Sequence, residues 1–380
     1  MNRKMGKRLF LTSCLFLWLL MFGVNHPLEA AAYRYRDLGL LSAGPYGYAW
    51  AGGINRSGHV VGYSGTLCAD GNYEPHAFLF AAGGPMRDLG TLAGGLAIAD
   101  GYISGVNAIN SSGQMVGWSS AILPDGAYAQ HAFLTTAAGG MQDLGTLGGG
   151  TAVASGINNG GQVVGWSSIV LSGGTPQHAC LWTAPGTMQD LGAWGGDSWA
   201  YGINNSGQVA GAAATTSPAG ASVKHAFLWT AGSGLQDLGT LGGDNSSASA
   251  INDNGQIVGY ATTGSGRQHA FWRPAGGSLQ DLGTLGGDTS GANSINSRGQ
   301  VVGWSRTIPG SPVQHAFLWT AAGGMRDLNN LVANPPAGDY LSEARAINDL
   351  GQIVGRTNNG RAFLLSLVNA VPPLMELLLN

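Results

Sequence analysis

Residues 251–260 read Ile-Asn-Asp-Asn-Gly-Gln-Ile-Val-Gly-Tyr, residues 269–272 read His-Ala-Phe-Trp, and residues 280–283 read Gln-Asp-Leu-Gly. Short apolar runs separated by Gly, Asn and Asp are typical of β-strands that are joined by tight turns. The triplet Asp-Asn-Gly suits a hairpin whose glycine adopts the left-handed conformation. This stretch therefore predicts neighbouring antiparallel strands, and a second hairpin between the third and fourth strands of the unit.

The same pattern recurs along the chain, so this stretch is one copy of a repeat. Successive Ile-Asn pairs are 55, 48, 46, 48, 44 and 52 residues apart. A unit of about 48 residues with four short strands has the length of a β-propeller blade. Helical repeats are excluded, because Gly interrupts every copy and no copy has a sustained helical period. The seven pairs begin at Ile54, Ile109, Ile157, Ile203, Ile251, Ile295 and Ile347.

The phase of the repeat predicts how the ring closes. Residues 36–39 form an isolated Arg-Asp-Leu-Gly segment ahead of the first unit, whereas the last unit has Arg-Ala-Phe-Leu at residues 361–364 but no Asp-Leu-Gly. The two ends complement each other if residues 33–40 form the outer strand of the last blade. We therefore predict an all-β fold: a seven-bladed β-propeller with four antiparallel strands per blade, closed by the N-terminal strand completing the last blade.

Composition supports strands over helices. Glycine accounts for 65 of the 380 residues, and charged residues for 10%. Because Gly destabilises a helix interior by about 0.5–1 kcal/mol relative to Ala, helix bundles and doubly wound folds are excluded. Residues before the Ile-Asn pairs are mostly small, as at 52–53 and 155–156, and we expect the first strands of the blades to converge around the axis.

The first thirty residues differ from the remainder of the chain. Four basic residues between positions 3 and 8 precede an apolar run over residues 9–24, and small residues follow at 30–32. This pattern predicts a secretory signal peptide at 1–30, because the apolar run is shorter than the roughly 20 residues that span a bilayer. We expect cleavage within 28–32, a propeller over 31–366, a C-terminal tail at 367–380, and no membrane span after cleavage. The expected location is secreted, periplasmic or cell-envelope.

Charge and cysteine content limit the partners. After position 30 the chain has 13 basic and 19 acidic residues, so its net charge is about −6 and Lys224 is its only lysine. Nucleic acid is therefore not an expected partner. Cys68 and Cys180 lie in units that do not adjoin, and we expect two unpaired thiols. We also expect a monomer.

Histidine and aspartate recur at fixed places in the unit. A residue repeated in every blade predicts a structural role: a hydrogen bond at the start of the third strand for His, and a bond to backbone amides or Arg on the fourth strand for Asp. A single zinc ion needs three or four ligands at about 2.0–2.2 Å, which separate blades cannot supply, so we predict no metal and no cofactor. These structural positions are His76, His131, His178, His225, His269 and His315, with Asp37, Asp88, Asp143, Asp190, Asp237, Asp281 and Asp327.

Binding is expected on the variable loops. In a propeller, the connections from strand two to three and from strand four to the next strand one emerge on the same face, and both kinds vary here. Two connections of the second kind are rich in aromatic residues that could hold a sugar ring or a peptide; the alternative is that they pack between blades. The candidate ligand-binding residues are Tyr46, Tyr48, Trp50, Trp194, Asp197, Trp199 and Tyr201.

The repeated His-Ala-Phe, with Asp-Leu-Gly-Thr-Leu-Gly-Gly and Ile-Asn-x-x-Gly-Gln-Val-Val-Gly, resembles the bacterial extracellular HAF repeat family over residues 33–366. The chain departs from the pattern with Cys180 in place of Phe, Arg361 in place of His, and Asn-Asn at 329–330 after Asp-Leu. The resemblance implies a propeller-like repeat protein outside the cell. It implies no particular activity, substrate or catalytic residue.

These observations favour a secreted, non-enzymatic repeat protein, a binding or scaffold module that recognises a glycan or protein on its loop-rich face. One alternative is a glycan hydrolase or lyase with an active site at the axial mouth of the ring. Another is a structural component of the cell envelope. For an enzyme, polar groups from different blades should meet in one pocket, and the candidates are Asp100, Asp197, Asp244, Asp288 and Arg345.

Overall fold

The computed structural model describes residues 32–44, 47–67, 71–81, 84–93, 103–123, 126–184, 186–217 and 220–368. The predicted signal peptide, Tyr46, Cys68, Asp100 and residues 369–380 of the predicted tail lie outside these ranges. Within the described ranges, no helix has the length and apolarity needed to cross a membrane.

The described residues form short strands almost throughout. The N-terminal strand is β1 (Tyr33–Asp37), and the first blade has β2 (Ala49–Ile54), β3 (Val60–Leu67), β4 (Tyr73–Phe80) and β5 (Met86–Asp88). Blade two has β6 (Ser104–Ile109), β7 (Met115–Ile122), β8 (Tyr128–Thr135) and β9 (Gln142–Asp143). Blade three has β10 (Gly148–Ile157), β11 (Val163–Ile169), β12 (Gln177–Ala184) and β13 (Thr187–Gly192). Blade four has β14 (Ser198–Ile203), β15 (Val209–Thr216), β16 (Ser222–Thr230) and β17 (Gly234–Asp237).

The remaining blades follow the same plan. Blade five has β18 (Gly242–Ile251), β19 (Ile257–Thr263), β20 (Gln268–Arg273) and β21 (Gln280–Asp281). Blade six has β22 (Ser290–Ile295), β23 (Val301–Arg306), β24 (Gln314–Thr320) and β25 (Gly324–Asp327), followed by a 3₁₀ turn (Leu328–Asn330) and β26 (Val332–Ala333). Blade seven has β27 (Leu341–Ile347), β28 (Ile353–Thr357) and β29 (Ala362–Leu367).

Seven sheets are present among the described residues, and in six of them four consecutive strands lie side by side in chain order. All neighbours within those six sheets are antiparallel, as in β2–β3–β4–β5. The predicted seven-bladed propeller with four antiparallel strands per blade is therefore confirmed. The alternating strand directions place both variable kinds of connection on one side, which we call the loop-bearing face.

The N-terminal strand closes the ring as predicted. β1 pairs antiparallel with β29 over five residues, from Tyr33 opposite Leu367 to Asp37 opposite Phe363. One guanidinium nitrogen of Arg361 lies 3.0 Å from Oδ2 of Asp37, although the two residues are 324 positions apart. The last blade therefore takes its fourth strand from the opposite end of the chain.

The seventh sheet has one strand more than we predicted. β26 pairs parallel with β1, so the order of this sheet is β26–β1–β29–β28–β27. The extra strand arises in the connection from blade six to blade seven, where Asn329 replaces the glycine of Asp-Leu-Gly and a 3₁₀ turn follows. The amide of Tyr33 donates to the carbonyl of Leu331 at 3.0 Å. This segment covers the outer edge of β1, which would otherwise be open to pairing with another chain.

The core consists of apolar layers between neighbouring blades. The phenylalanine of each His-Ala-Phe is 0% exposed, and in blade three Cys180 occupies its place, also at 0%. Full burial of such a side chain contributes about 1.5–3 kcal/mol. Cys180 is a free thiol, and burial raises its pKa. The buried phenylalanines are Phe78, Phe133, Phe227, Phe271, Phe317 and Phe363.

The asparagine of each Ile-Asn pair links its blade to the next, and together these residues form what we call the asparagine ring. Each side-chain amide donates to the backbone carbonyl of the equivalent asparagine in the following blade, at 2.9–3.2 Å. The last bond, from Asn348 to Asn55, returns to the first blade. The members are Asn55, Asn110, Asn158, Asn204, Asn252, Asn296 and Asn348, all at most 6% exposed.

Candidate functional site

A cavity of about 550 Å³ lies on the axis of the propeller. Every blade contributes a residue of its first strand to the lining. The second strands of blades one and five add Tyr63 and Tyr260. The lining residues are Trp50, Gly52, Tyr63, Val106, Asn107, Ser155, Tyr201, Ser247, Ser249, Tyr260, Asn293 and Arg345.

A β-bulge in every first strand supplies seven of these residues. The pairing of β2 with β3 steps from Ala51–Gly62 to Gly53–Val61, which leaves Gly52 as the extra residue. The same step occurs in the other six blades. A bulge redirects the side chain of the extra residue, and such features are frequent beside binding sites. We call these seven positions the bulge ring: Gly52, Asn107, Ser155, Tyr201, Ser249, Asn293 and Arg345.

A glycine in the second strand makes room for each bulge. A Cβ atom built on Gly303 would overlap the carbonyl oxygen of Gly291, and the equivalent glycine of every other blade is similarly placed. The inner strands are also close to one another, since a Cβ atom on Gly202 would lie 3.2 Å from the Cα atom of Ala250. Only small residues fit at these points, as the sequence predicted for the approach to the axis.

The position of the cavity along the axis follows from the strand direction. First strands begin at the loop-bearing face and end at the asparagine ring, so Trp50 lies near the loops and Asn55 at the opposite end. The cavity-lining residues of the first strands precede the asparagine of their blade by three to five positions. The cavity therefore lies on the loop-bearing side of the asparagine ring.

One side of the cavity is cationic: Trp50 and Arg345 line it, and Glu343 and Arg356 contact these two residues without lining it themselves. We call the four residues the cationic wall. Nε of Arg356 donates to Oε2 of Glu343 at 3.0 Å, and Nδ2 of Asn293 donates to Oε1 at 3.0 Å. Nε of Arg345 also lies 3.0 Å from Oε1, but it has no partner at hydrogen-bonding geometry. Glu343 is 5% exposed. One carboxylate thus faces two guanidinium groups, and the wall has a net positive charge.

Both guanidinium groups also contact Trp50. The Cζ atoms of Arg345 and Arg356 lie 4.4 and 4.1 Å from the centre of its ring, within the distance of cation–π attraction. Burial lowers the pKa of Arg345, and Glu343 opposes that effect. Tyr63 adjoins Trp50 with 5.7 Å between ring centres, and burial raises its pKa to about 12.

Blades three to five form the opposite wall, and we call Ser155, Tyr201, Ser247, Ser249 and Tyr260 the hydroxyl wall. All five side chains end in a hydroxyl group. Tyr201 and Tyr260 are each 36% exposed. Burial, assisted by the neighbouring Tyr260, raises the pKa of Tyr201 to about 12, so its phenol is neutral at physiological pH. This wall offers aromatic surface and uncharged donors and acceptors.

The predicted ligand-binding residues separate into two groups. Trp50 and Tyr201 line the cavity, whereas Tyr48 does not, although its ring lies 6.4 Å from that of the lining residue Tyr63. They are not all loop residues as expected, because the first strands extend further back: Trp50 and Tyr201 lie within β2 and β14. Tyr46 lies outside the described residues.

The residues of the second group contact other residues of blades three and four. Trp194 packs in the apolar layer between blades three and four. Oδ1 of Asp197 accepts the amide of Gln177 at 2.8 Å, and Nε1 of Trp199 donates to the side chain of Gln177 at 2.6 Å. Lys224 lies over the Trp199 ring at 4.3 Å. These contacts lie within and between blades three and four, as the packing alternative expects, and binding by these residues stays a prediction.

The repeated histidines and aspartates contact each other. In six blades Nδ1 of the histidine lies 2.6–2.9 Å from Oδ2 of the aspartate twelve residues later. Oδ1 of the same aspartate accepts an amide two residues further on, as from Gly145 to Asp143 at 2.8 Å. Hydrogen bonds from His131 and Gly145 outweigh burial and lower the pKa of Asp143. In blade seven, Arg361 and Asp37 form the equivalent pair.

The four described residues that were considered for catalysis do not come together in one site. Asp244 is exposed. The carboxylate of Asp288 forms ion pairs with guanidinium nitrogens of Arg267 and Arg306 at 2.8 and 3.4 Å. The carboxylate of Asp197 accepts the backbone amide of Gln177. Arg345 is the one candidate that lines the cavity, and Asp100 lies outside the described residues. Across the described ranges, no group of three or more His, Cys, Asp or Glu residues could hold a metal ion.

Sequence reasoning missed the acidic and cationic residues beside Arg345 and the role of the bulge. Glu343, Arg356, Asn107, Asn293, Tyr63 and Tyr260 were not among the candidates. A signal was available, because the position two residues before each Ile-Asn pair reads Gly, Asn, Ser, Tyr, Ser, Asn and Arg in successive copies. A position that varies within an otherwise regular repeat is not fixed by the packing of the blades, so its residues can serve a specific function.

No family model matches the sequence, and neither does any curated protein. Solved structures with a similar fold include a catalytically inactive variant of virginiamycin B lyase from Staphylococcus aureus with quinupristin, at 10% identity and a TM-score of 0.46, covering 88% of this chain and 100% of the lyase. TolB from Acinetobacter baumannii is similar at 11% identity and a TM-score of 0.42, covering 82% and 80% of the two chains. The β-propeller domain of the Trilobed protease from Pyrococcus furiosus has 10% identity and a TM-score of 0.38, covering 76% and 97%.

Proposed function

We propose that this protein is a secreted binding module that takes a glycan into the axial cavity from the loop-bearing face. The observation that carries the proposal is the bulge ring, in which one structural position holds five different residue types around a cavity. Sevenfold packing requires no such variety. Ligand sites are concave, and their polar groups are few and specifically placed.

The chemistry of the lining favours a saccharide. Sugar rings present apolar faces that pack on aromatic side chains and hydroxyl groups that exchange hydrogen bonds. The cavity combines the rings of Trp50, Tyr63, Tyr201 and Tyr260 with serine hydroxyls and asparagine amides. Its volume of about 550 Å³ falls within the roughly 300–1,000 Å³ of small-ligand sites.

The contacts of Glu343 support binding rather than catalysis. A general acid or base must be free to exchange a proton with the substrate. Both carboxylate oxygens of Glu343 already face cationic or amide groups of the protein. Secretion and membership of the bacterial HAF repeat family are part of the same proposal, supported by the N-terminal sequence and the repeated motifs.

Saccharide titration by calorimetry tests the proposal. We expect wild-type protein to bind a subset of extracellular oligosaccharides. Tyr201→Ala should weaken binding at least tenfold, about 1.4 kcal/mol, because it removes an aromatic ring of the hydroxyl wall, and Ser249→Trp should do so because it fills the cavity. Tyr128→Ala is the matched control, because Tyr128 is 68% exposed on β8, away from the cavity lining. Binding that is lost with Tyr128→Ala and retained by both cavity variants would instead indicate a partner on the outer loops. Failure of every saccharide to bind would contradict the proposal.

A further inference from the structure

The charge in the axial cavity lies on one side only, among the residues that the structure describes. Of the described residues that line it, Arg345 alone is charged, and it belongs to blade seven. The facing hydroxyl wall belongs to blades three, four and five. A ligand that filled the cavity would meet a cation at one end and neutral hydroxyl groups at the other.

Arg345 has unused capacity for an anion. A guanidinium group has five N–H donors. Among the described residues, its contacts are the ion pair through Nε with Glu343 and the face of Trp50. The buried Nε atom has no hydrogen-bond acceptor at acceptable geometry. That atom is buried against Glu343, so the donors left for a ligand are those of the two Nη groups, which have no hydrogen-bond partner among the described residues.

Glu343 does not neutralise the wall. Its two oxygens are shared by Arg345, Arg356 and Asn293, so one negative charge balances two positive ones. Arg356 is fixed to Glu343 by a 3.0 Å hydrogen bond from Nε. The second positive charge is carried by Arg345, whose side chain remains 35% exposed at the cavity.

The arrangement is not required by the frame. The bulge position of the other six blades holds Gly, Asn, Ser or Tyr, so the bulge itself does not need a cation. The protein as a whole is acidic, with a formal net charge of −3. A cation placed on the axis of such a protein creates a local field that attracts an anionic group.

Resting on the proposed function, we propose that the ligand is an acidic saccharide: a uronate whose carboxylate binds Arg345, while its hydroxyl groups bind the hydroxyl wall. The planar guanidinium matches a carboxylate in a two-bond geometry that neutral sugars cannot supply. A carboxylate in this position would also restore charge balance to the cationic wall.

The test compares acidic disaccharides with their methyl esters, because esterification removes the charge and changes the shape little. Digalacturonate, diglucuronate and dimannuronate would be titrated by calorimetry beside their dimethyl esters. We expect at least one free acid to bind wild-type protein tenfold or more tightly than its ester. Its affinity should fall as salt rises, since the interaction is ionic, while that of the ester stays constant.

Variants separate recognition from packing. Arg345→Gln should lower the affinity for the acid to that of the ester and leave the ester unchanged, and Arg345→Lys should retain part of the preference. Arg267→Gln removes an exposed cation elsewhere and should change neither affinity. Equal weakening of acid and ester by Arg345→Gln, with a lowered melting temperature, would show that Arg345 only packs against Trp50 and would overturn the inference. Wild-type protein that binds neutral saccharides in the cavity and no acid preferentially would also overturn it, and would leave the proposed function standing.

Discussion

At the scale of single residues, Asn204 of the asparagine ring uses every hydrogen-bonding position of its side chain. Nδ2 of Asn204 donates to Gln208 at 2.8 Å and to the carbonyl of Asn252 at 3.2 Å, and Oδ1 accepts the amides of Ser206 and Gln208. Two donors and two acceptor sites are the full capacity of the group. One residue thereby fixes the hairpin of its own blade and joins that blade to the next.

Replacing one member of the ring should be strongly destabilising. Asn204→Ala leaves buried backbone groups without partners, and we expect the free energy of unfolding to fall by about 2–4 kcal/mol in urea denaturation. Asn330→Ala, at an exposed asparagine, should change it by no more than about 0.5 kcal/mol. Equal effects of the two substitutions would contradict the role assigned to the ring.

The glycine opposite each bulge is a second point where one residue decides the structure. In Gly303→Ala the new methyl group meets the carbonyl oxygen of Gly291 and the ring of Phe317 at 2.8 Å. Because the carbonyl belongs to β22, relief requires separation of two paired strands, and we expect a loss of about 1–3 kcal/mol. Gly232→Ala, with nothing within 4 Å of the new atom, should leave the melting temperature unchanged or slightly higher. Similar behaviour of the two variants would refute the steric argument.

Tyr201 should report the environment of the cavity through its titration. Its pKa is raised to about 12 by burial, and the ordinary value is 10.0. For a pKa raised in the folded state, the stabilisation is complete below pH 10 and is lost as the pH passes through 12. In absorbance titration of folded protein, Tyr201→Phe should reduce the signal near pH 12 by one tyrosine, since Tyr35 and Tyr63 also titrate there, and should leave the signal near pH 10 intact. Loss of the signal near pH 10 instead would show that the phenol of Tyr201 is exposed to water and would contradict the prediction.

At the scale of elements, the backbone pairing of β1 should contribute far more to closure than its ion pair. Arg361 and Asp37 are each more than one-third exposed, and such pairs contribute at most about 1 kcal/mol. Removal of β1 would instead expose the edge of β29 and withdraw Tyr33 and Leu38, which are 2% and 4% exposed.

Truncation separates these two contributions. Protein lacking residues 1–38 should aggregate in size-exclusion chromatography or unfold without a cooperative transition, because an open edge strand pairs with other chains. Protein lacking residues 1–31 should remain monodisperse with or without the Arg361→Ala substitution, and the two melting temperatures should lie within a few degrees of each other. A cooperative, monodisperse 1–38 deletion would show that the ring closes without β1.

Some features of the strands could be predicted from the sequence, and others could not. The Asp-Leu-Gly at residues 37–39 and the incomplete last unit predicted the latch, because a strand without a partner and a sheet without an edge strand are both visible in the repeat. The bulge was not predicted, because an extra residue within a strand pair depends on which residues face each other across two strands. The sequence therefore shows that Arg345 and Glu343 are charged residues close to Ile347, but it does not predict that they lie together in the cationic wall.

At the scale of the whole molecule, the ring closes at both its inner and outer edges. The inner closure is the bond from Asn348 to Asn55 at 2.9 Å, between residues 293 positions apart. The outer closure is the pairing of β1 with β29, and the amide of Val368 also donates to the carbonyl of Ala32 at 2.9 Å. The two ends of the described chain therefore lie side by side.

This proximity predicts that circular permutation at the right place preserves the protein. A chain that starts at Gly47, runs to Val368, continues through a short Gly-rich turn to Ala32 and ends at Gly44 would make all seven blades contiguous, with β29 and β1 joined as a hairpin. We expect its free energy of unfolding to stay within about 1 kcal/mol of wild type, because the joined ends already lie side by side and loop-closure entropy depends weakly on loop length. The matched control joins the same ends but opens the chain between Ser206 and Gly207, within a hairpin of the asparagine ring. That permutant should lose several times more stability in urea denaturation, and equal stability of the two would mean that ring closure does not depend on the inner hairpins.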